Sequence, residues 1–313
     1  MKQTFLIFIL TAILASCSSE NDLTMMPIDP PGEYPSITIQ RLQRLNDSIS
    51  QNGTYTHMSR SWHRGLFVVG ADILGAYNWG RKGAVVGSWT GAVHGAAIGA
   101  IIGGTLGAIK YSYQAYRMSG GSVAIEEDKS ALLYLTNAYC SLNVINETDF
   151  DYCLAFPSDG QLLENVGEYH NRALTYLILN DGNGLSPMSD ELDNPALDPV
   201  LPTLELSPIE RNIIESEEFS LEFDADETIL NMNCIEDFEF DESESGTILD
   251  LFIEAIDNYS GTTSIPDVIS ITNQYIEIVS NSLELSQTEK ENLFIAFSVG
   301  AYSYKYWAEY YAE

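Results

Sequence analysis

The sequence of 313 residues carries 45 acidic and 14 basic side chains, which gives a formal net charge of −31 at pH 7. A surface with this much negative charge repels polyanions, so we expect no nucleic-acid partner. The charge is unevenly distributed, with a balance of +3 over residues 1–117 (nine basic, six acidic) and of −34 over residues 118–313 (five basic, thirty-nine acidic).

Residues 1–16 have the pattern of a lipoprotein signal peptide. Lys2 gives a positive start, and residues 5–14 form a short apolar stretch. The segment leads into Leu14-Ala15-Ser16-Cys17, which resembles the lipobox of bacterial lipoproteins. This resemblance implies cleavage before Cys17 and acylation of its sulfur. It therefore implies a membrane-lipid partner and a lipid-anchored location at the outer membrane or cell surface. A plain signal peptide followed by an incidental cysteine is the alternative.

Residues 17–60 are predicted to be a tether and a connecting segment. Ser18-Ser19-Glu20-Asn21-Asp22 is similar to the acidic export tags that follow the lipid cysteine in surface lipoproteins of the Bacteroidota. Prolines at positions 27, 30, 31 and 35 keep the next stretch extended, as a spacer behind a lipid anchor requires. Apolar residues then recur loosely at helical spacing over residues 37–49, which predicts a short helix.

Glycine recurs at every fourth position in the middle of residues 61–117, and no charged side chain lies between Lys82 and Lys110. In one continuous helix these glycines would form a smooth groove, against which a second backbone can pack closely. We predict that this groove packs helices together and that it supports a homo-oligomer or contacts a membrane. The seven helix-packing glycines are Gly83, Gly87, Gly91, Gly95, Gly99, Gly103 and Gly107.

The same region is predicted to be a glycine-zipper helical hairpin. Arg81-Lys82, flanked by glycines, is the predicted break, with arms at residues 62–79 and 84–116. Trp62 and Trp79 bound the first arm, as aromatic residues do at membrane interfaces. Three interpretations of the hairpin stay open: association with a membrane, packing against the protein's own helices, and disorder.

The glycine-rich run resembles the glycine-zipper segments of small bacterial surface lipoproteins and of membrane-active bacteriocins. Residues 166–171 and 303–307 are similar to segments of uncharacterised Bacteroidota lipoproteins. The resemblance implies an uncharacterised Bacteroidota-type surface lipoprotein with a glycine zipper, and it implies no activity.

Residues 118–313 are predicted to be an acidic helical domain, so the fold class that we predict is all-α: a glycine-rich helical hairpin followed by acidic helices. Apolar residues recur at helical spacing in several stretches. Ser286 and Glu289 form a capping-box signature at the start of the last one. The acid-dense residues 219–245 suit either a strand or a loop. The predicted helices cover residues 122–143, 162–179, 247–259, 266–283 and 287–311, with a short one starting near residue 208.

The cysteines after Cys17 predict one disulfide. Cys140 and Cys153 are the candidate pair, because they lie thirteen residues apart in a chain that we expect to be exported. Cys234 is then left over, and we interpret it as a small buried apolar residue rather than a nucleophile. The sequence contains no C-x-x-C, so we expect no zinc site.

Motifs that would carry chemistry are few. The sequence lacks H-E-x-x-H, G-x-S-x-G and the phosphate-loop signature, so we expect no enzyme, no catalytic residue, no metal and no cofactor. His170 is interpreted either as a base or, preferably, as a packing histidine. Asp181-Gly182-Asn183-Gly184 is a fragment of a calcium loop without its terminal glutamate. Tyr302, Tyr306 and Tyr310 form a stripe that suits a core face or, less well, glycan stacking.

These features predict a lipid-anchored cell-envelope protein of structural or interaction type, whose glycine-zipper hairpin self-associates or contacts membrane. The alternative from another class is a membrane-active antagonist, in which the acidic domain shields a bacteriocin-like hairpin. An enzyme is the third and least favoured interpretation.

Overall fold

A computed structural model of the chain describes residues 35–52, 60–91, 94–119, 154–157, 163, 166–171, 174, 232, 234–259 and 265–312. Of these described residues 84% are helical and none lies in a strand, so the predicted all-α class is confirmed. The helices are α1 (Ile37–Asn52), α2 (Arg60–Trp89), α3 (Gly95–Met118), α4 (Glu244–Tyr259), α5 (Ile265–Ser280) and α6 (Gln287–Ala312), with a short 3-10 turn at Ile235–Asp237.

The start of α6 illustrates how local sequence sets these helices. The Ser286 amide donates a hydrogen bond to the Glu289 carboxylate at 2.8 Å, and the Glu289 amide donates to Ser286 Oγ at 3.3 Å. This reciprocal capping box satisfies two amides that a helix start leaves unpaired. The helices predicted at residues 37–49, 247–259, 266–283 and 287–311 are confirmed, with shifts of a few residues at their ends.

Other predicted helices lie wholly or partly outside the described residues. Those at residues 122–143 and near 208 fall entirely outside them. Within the helix predicted at 162–179, the described residues 163, 166–171 and 174 are all helical. The ambiguous acidic stretch contains the 3-10 turn Ile235–Asp237, followed by residues without regular structure up to α4.

Helices α2 and α3 form an antiparallel hairpin, and α6 packs along it. Ser303 of α6 donates a hydrogen bond to Asp72 of α2, whereas Asn292, eleven residues earlier, lies beside Gly80. Helix α6 therefore runs antiparallel to α2. Helices α4 and α5 pack on the other side of α6, where the rings of Phe252, Tyr275 and Phe297 meet with centroids 4.7–5.7 Å apart, and α1 packs on α4 and α5.

Residues Ser36–Glu313 form one compact unit with one continuous apolar core. Ile295 of α6 lies against Gly104 of α3, and Gly300 of α6 lies against Ile73 of α2. Helix α6, from the acidic part of the chain, therefore packs directly on both arms of the hairpin. Burying apolar surface against α6 is what stabilises the hairpin within this unit.

The predicted position of the hairpin break is wrong. Helix α2 continues through Arg81 and Lys82 to Trp89, and the turn follows it. None of the described helices is both long enough and apolar enough to cross a membrane. Trp62 and Trp79, which we expected at a membrane interface, lie buried inside the protein at 7% and 5% exposure.

Candidate functional site

The glycines of the hairpin bring two helix backbones into direct contact. A methyl group on Gly83 would collide with the carbonyl of Gly99, and one on Gly99 would collide with the carbonyl of Gly83. Gly87 and Gly95 are paired in the same reciprocal way. Gly103 meets the Trp79 carbonyl, and Gly107 packs against Gly75 and the Trp79 side chain. Glycine is required at these positions because any β-carbon would hold the two helices apart.

Gly91 differs from the other six glycines of the series. Its φ of +68° lies in the left-handed region, and no atom lies within 4 Å of the position that a β-carbon would take. Glycine adopts this conformation without steric cost, so Gly91 ends α2 and allows the chain to reverse. The groove predicted on one helix is thus divided between two arms, with Gly83 and Gly87 on one and Gly95, Gly99, Gly103 and Gly107 on the other.

Two hairpin glycines, one inside the contact and one beside it, allow the contact to be tested. Gly99→Ala places a methyl group against the Gly83 carbonyl, so we expect the free energy of unfolding to fall by about 1–3 kcal/mol. Gly80→Ala is the matched control, because its methyl group would have its nearest neighbour, Asn292 Oδ1, at 3.4 Å. Alanine favours helix by up to ~1 kcal/mol, so this control should leave stability unchanged or raised. Denaturant unfolding measures both, and equal effects would contradict the contact.

A cluster of buried polar side chains ties the hairpin to α6 and to residues 166–171. Asp72, Ser112, His170 and Ser303 come from four separate segments, and none of these side chains has measurable solvent exposure. Ser303 Oγ donates to Asp72 Oδ2 at 2.5 Å. His170 Nε2 lies 3.4 Å from the same Asp72 oxygen and 3.4 Å from Ser112 Oγ.

Asn171, the next residue in the sequence, sets the orientation of the His170 ring. Asn171 Nδ2 donates to the Tyr302 carbonyl at 2.7 Å, so its amide oxygen faces His170 Nδ1 at 3.2 Å. Nδ1 is therefore the donor, and Nε2 faces a carboxylate oxygen.

This cluster does not have the geometry of a nucleophilic relay. In a relay the carboxylate orients one ring nitrogen, and the hydroxyl to be activated lies at the other. Here Asp72 and Ser112 both face Nε2, whereas Nδ1 faces an amide. The complete burial of all four side chains also separates them from substrate. The geometry fits a packing histidine in a polar link between helices.

Asp72 and Arg81 both lie on α2, but we expect their ion pairs to contribute differently to stability. The pair of Asp72 with His170 is buried, whereas the pair of Arg81 with Asp241 is exposed. Asp72→Ala removes the carboxylate that Ser303 donates to and that His170 Nε2 faces, and breaking a buried pair in this way typically costs about 3–5 kcal/mol. Arg81→Met breaks the pair between Arg81 and Asp241, whose side chains are 49% and 44% exposed. Removal of an exposed pair costs about 0–1 kcal/mol. Thermal and denaturant unfolding of both variants checks this difference, and a cost of Asp72→Ala no larger than that of Arg81→Met would contradict it.

Asp257 on α4 is a half-buried carboxylate with a perturbed pKa. Burial raises the pKa of Asp257 to about 6, the charge of Glu236 adds to the rise, and His63 opposes it. The folded protein therefore binds a proton more tightly than the unfolded chain does. The contribution of Asp257 to folding is then most favourable below about pH 4, and it is lost as the pH rises through 6.

Asp257→Asn removes this cost at neutral pH. We expect the variant to be more stable than the native chain by about 1 kcal/mol above pH 7, allowing for solvent screening at a half-exposed site, and the gain to vanish near pH 4. Denaturant unfolding across this pH range measures the gain. Glu277→Gln, at an exposed position of α5, controls for the loss of one negative charge. A gain that is independent of pH would contradict the assignment to Asp257.

Among the cysteines and the calcium-loop fragment, only Cys234 lies in the described part of the chain. Cys17, Cys140, Cys153 and the residues 181–184 lie outside the described part of the chain, so the lipid anchor and the disulfide stay predictions. Burial raises the pKa of the partly exposed Cys234 thiol to about 12, and Glu236 and Asp237 add to the rise. A thiol with this pKa is almost entirely protonated at neutral pH and is a poor nucleophile.

The tyrosine stripe of α6 packs against α3. Tyr302 is buried, and the Tyr310 hydroxyl lies 2.9 Å from that of Tyr116. Tyr116 also stacks on Trp307, with ring centroids 5.5 Å apart. Because these ring faces contact one another, the geometry fits a core face better than glycan stacking.

The polar cluster around Asp72 is what the sequence reasoning missed. The sequence does contain one signal for this cluster: Asp72 is the only acidic residue between Asp47 and Glu126. A single carboxylate inside a glycine-rich apolar hairpin needs a buried partner. The identity of that partner could not be read from the sequence, because Asp72 and His170 are 98 positions apart.

No protein-family model, curated protein or solved structure matches this chain.

Proposed function

We propose that this chain is a lipid-anchored protein of the bacterial cell envelope with a structural or interaction role. The observation that carries the proposal is Leu14-Ala15-Ser16-Cys17, which directly ends the short apolar stretch at residues 5–14. In the lipoproteins that this segment resembles, the cysteine becomes the acylated first residue of the mature chain. Two or three acyl chains on one cysteine would hold the protein stably at a membrane.

The spacing between Cys17 and the folded unit supports this proposal. The compact unit begins at Ser36, nineteen residues after Cys17. Prolines in this interval favour extended backbone, and a chain of this length spans at most about 65 Å. A folded unit on such a tether would remain close to the membrane surface while being free to meet a partner.

The content of the fold supports a structural or interaction role. Six of the seven four-spaced glycines pack the two arms of the hairpin together, and α6 covers the pair. The buried polar cluster links helices and has no access to solvent. We propose that the hairpin is the internal scaffold of the unit, which leaves its outer faces and its tip for contacts with other molecules.

Acylation of Cys17 is the direct test of the anchor. In a bacterial host that processes lipoproteins, metabolic labelling with a fatty-acid analogue should label the native chain, and the chain should fractionate with membranes. Cys17→Ala should abolish the label and release the protein from the membrane fraction, because the acylated sulfur is lost. Cys234→Ala is the matched control and should retain both properties. Label that survives Cys17→Ala would contradict the anchor.

A further inference from the structure

One end of the helical unit contains the hairpin turn, the entry of the chain at Ser36, the start of α4 and the loop between α5 and α6. We call it the tip end. It contains Ser36, where the chain enters the fold, because Ser36 Oγ donates to Glu244 at the start of α4 at 2.6 Å. It contains the loop between α5 and α6, because the amides of Ile37 and Thr38 donate to Glu284 at 3.1 and 3.2 Å. Arg81 of the hairpin pairs with Asp241, just before α4.

The hairpin extends past the start of α6 at this end. Asp72 contacts Ser303, and Gly80 lies beside Asn292, so eight residues of α2 correspond to eleven of α6. The first residue of α6, Gln287, is therefore level with about residue 84 of α2. The last turn of α2, residues 85–89, projects beyond it with the chain reversal that follows.

The projecting part of the hairpin presents apolar side chains to solvent. Val85 is 52% exposed, and Trp89, one turn later on the same face, is 63% exposed. The other three tryptophans of the chain are all buried. Ile37 and Leu283, at the same end, are also exposed. Four of the six large apolar side chains that are exposed among the described residues therefore lie at the tip end.

The charge of the hairpin differs from that of the rest of the protein. No acidic residue lies between Asp72 and Glu126, and the exposed Arg81 and Lys82 precede Trp89 by about two turns. Of the acidic side chains near this end, Asp241 pairs with Arg81, Glu244 accepts from Ser36 and Glu284 accepts from Thr38, whereas Glu242 is exposed.

We propose that the hairpin tip, through Val85 and Trp89, inserts shallowly into the interfacial region of a lipid bilayer. Tryptophan prefers this region because its ring is apolar and its N–H can remain hydrated, and the exposed Lys82 behind it suits the headgroups. This inference rests on the proposed anchor, because the tether from Cys17 enters the fold at the same end. The tip would then fix which face of the unit is turned toward the membrane.

A lipid surface suits this patch better than a second copy of the chain does. A stable protein interface buries about 800 Å² per partner, whereas two projecting side chains and a hairpin turn offer far less. Two copies of a chain with a net charge of −31 would also repel each other.

The single exposed tryptophan makes the proposal testable with the full acylated chain. The fluorescence spectrum of the Trp89→Phe variant, subtracted from that of the native chain, gives the emission of Trp89. The probe is a preformed phosphatidylcholine vesicle with brominated acyl chains, which quench only tryptophans in contact with lipid. We expect these vesicles to quench the Trp89 emission, and we expect unbrominated phosphatidylcholine vesicles to protect that emission from aqueous iodide. Trp89→Phe combined with Met118→Trp is the matched control, because Met118 ends α3 at the opposite end of the unit, and its emission should remain sensitive to iodide.

The outcomes separate the tip from the anchor. A chain that floats with vesicles through Cys17 while iodide still quenches Trp89 would overturn the tip proposal and leave the anchor standing. Lipid quenching of Trp89 that persists after Cys17→Ala, with equal flotation, would support the tip and contradict the anchor. Absence of both flotation and lipid quenching would overturn both. Protection of Trp89 that rises with protein concentration without vesicles would overturn the tip proposal in favour of a second copy.

Discussion

The fold depends on the close contact between the backbones of α2 and α3. The pairs 75/107, 79/103, 83/99 and 87/95 are all centred on residue 91, which is the geometric requirement for two antiparallel helices joined by a turn at Gly91. Each glycine in a helix interior costs up to about 1 kcal/mol of helix propensity. Close packing of the two arms offsets that cost, so the glycines are stabilising only as pairs.

Helix α6 makes the hairpin part of a larger unit. Its apolar residues fill the surface that the glycine arms leave open, and Ser303 satisfies one oxygen of the buried Asp72. The carboxylate would be costly in this core without its partners, because burial of an unpaired charge is strongly unfavourable. The cluster of Asp72 with His170 therefore favours one arrangement of the hairpin relative to α6 over others that the smooth glycine surface would allow.

Much of the fold follows from local sequence patterns, whereas the site depends on distant residues. The capping box at Ser286 and the helical periodicity predicted four helices correctly. The break predicted at Arg81-Lys82 is wrong, because Gly83 and Gly87 pack on the backbone of α3 and α2 therefore continues past the two basic residues. The symmetry of the glycine series about Gly91 was the better signal. Spacing alone predicts contact but leaves open whether the second backbone belongs to the same chain, another copy or a membrane helix.

The register of the hairpin is tested most directly by a distance between its two free ends. Arg64 and Met118 are both exposed and lie equally far from residue 91. With nitroxide labels at these positions, in a chain whose native cysteines are replaced by serine, pulsed electron resonance should give a distance below about 25 Å, since packed helices lie 8–10 Å apart. A turn at Arg81-Lys82 would displace the two sites by nineteen residues, or about 28 Å along the helix axis, and one continuous helix would separate them by about 80 Å. A distance above 30 Å would contradict the pairing centred on Gly91.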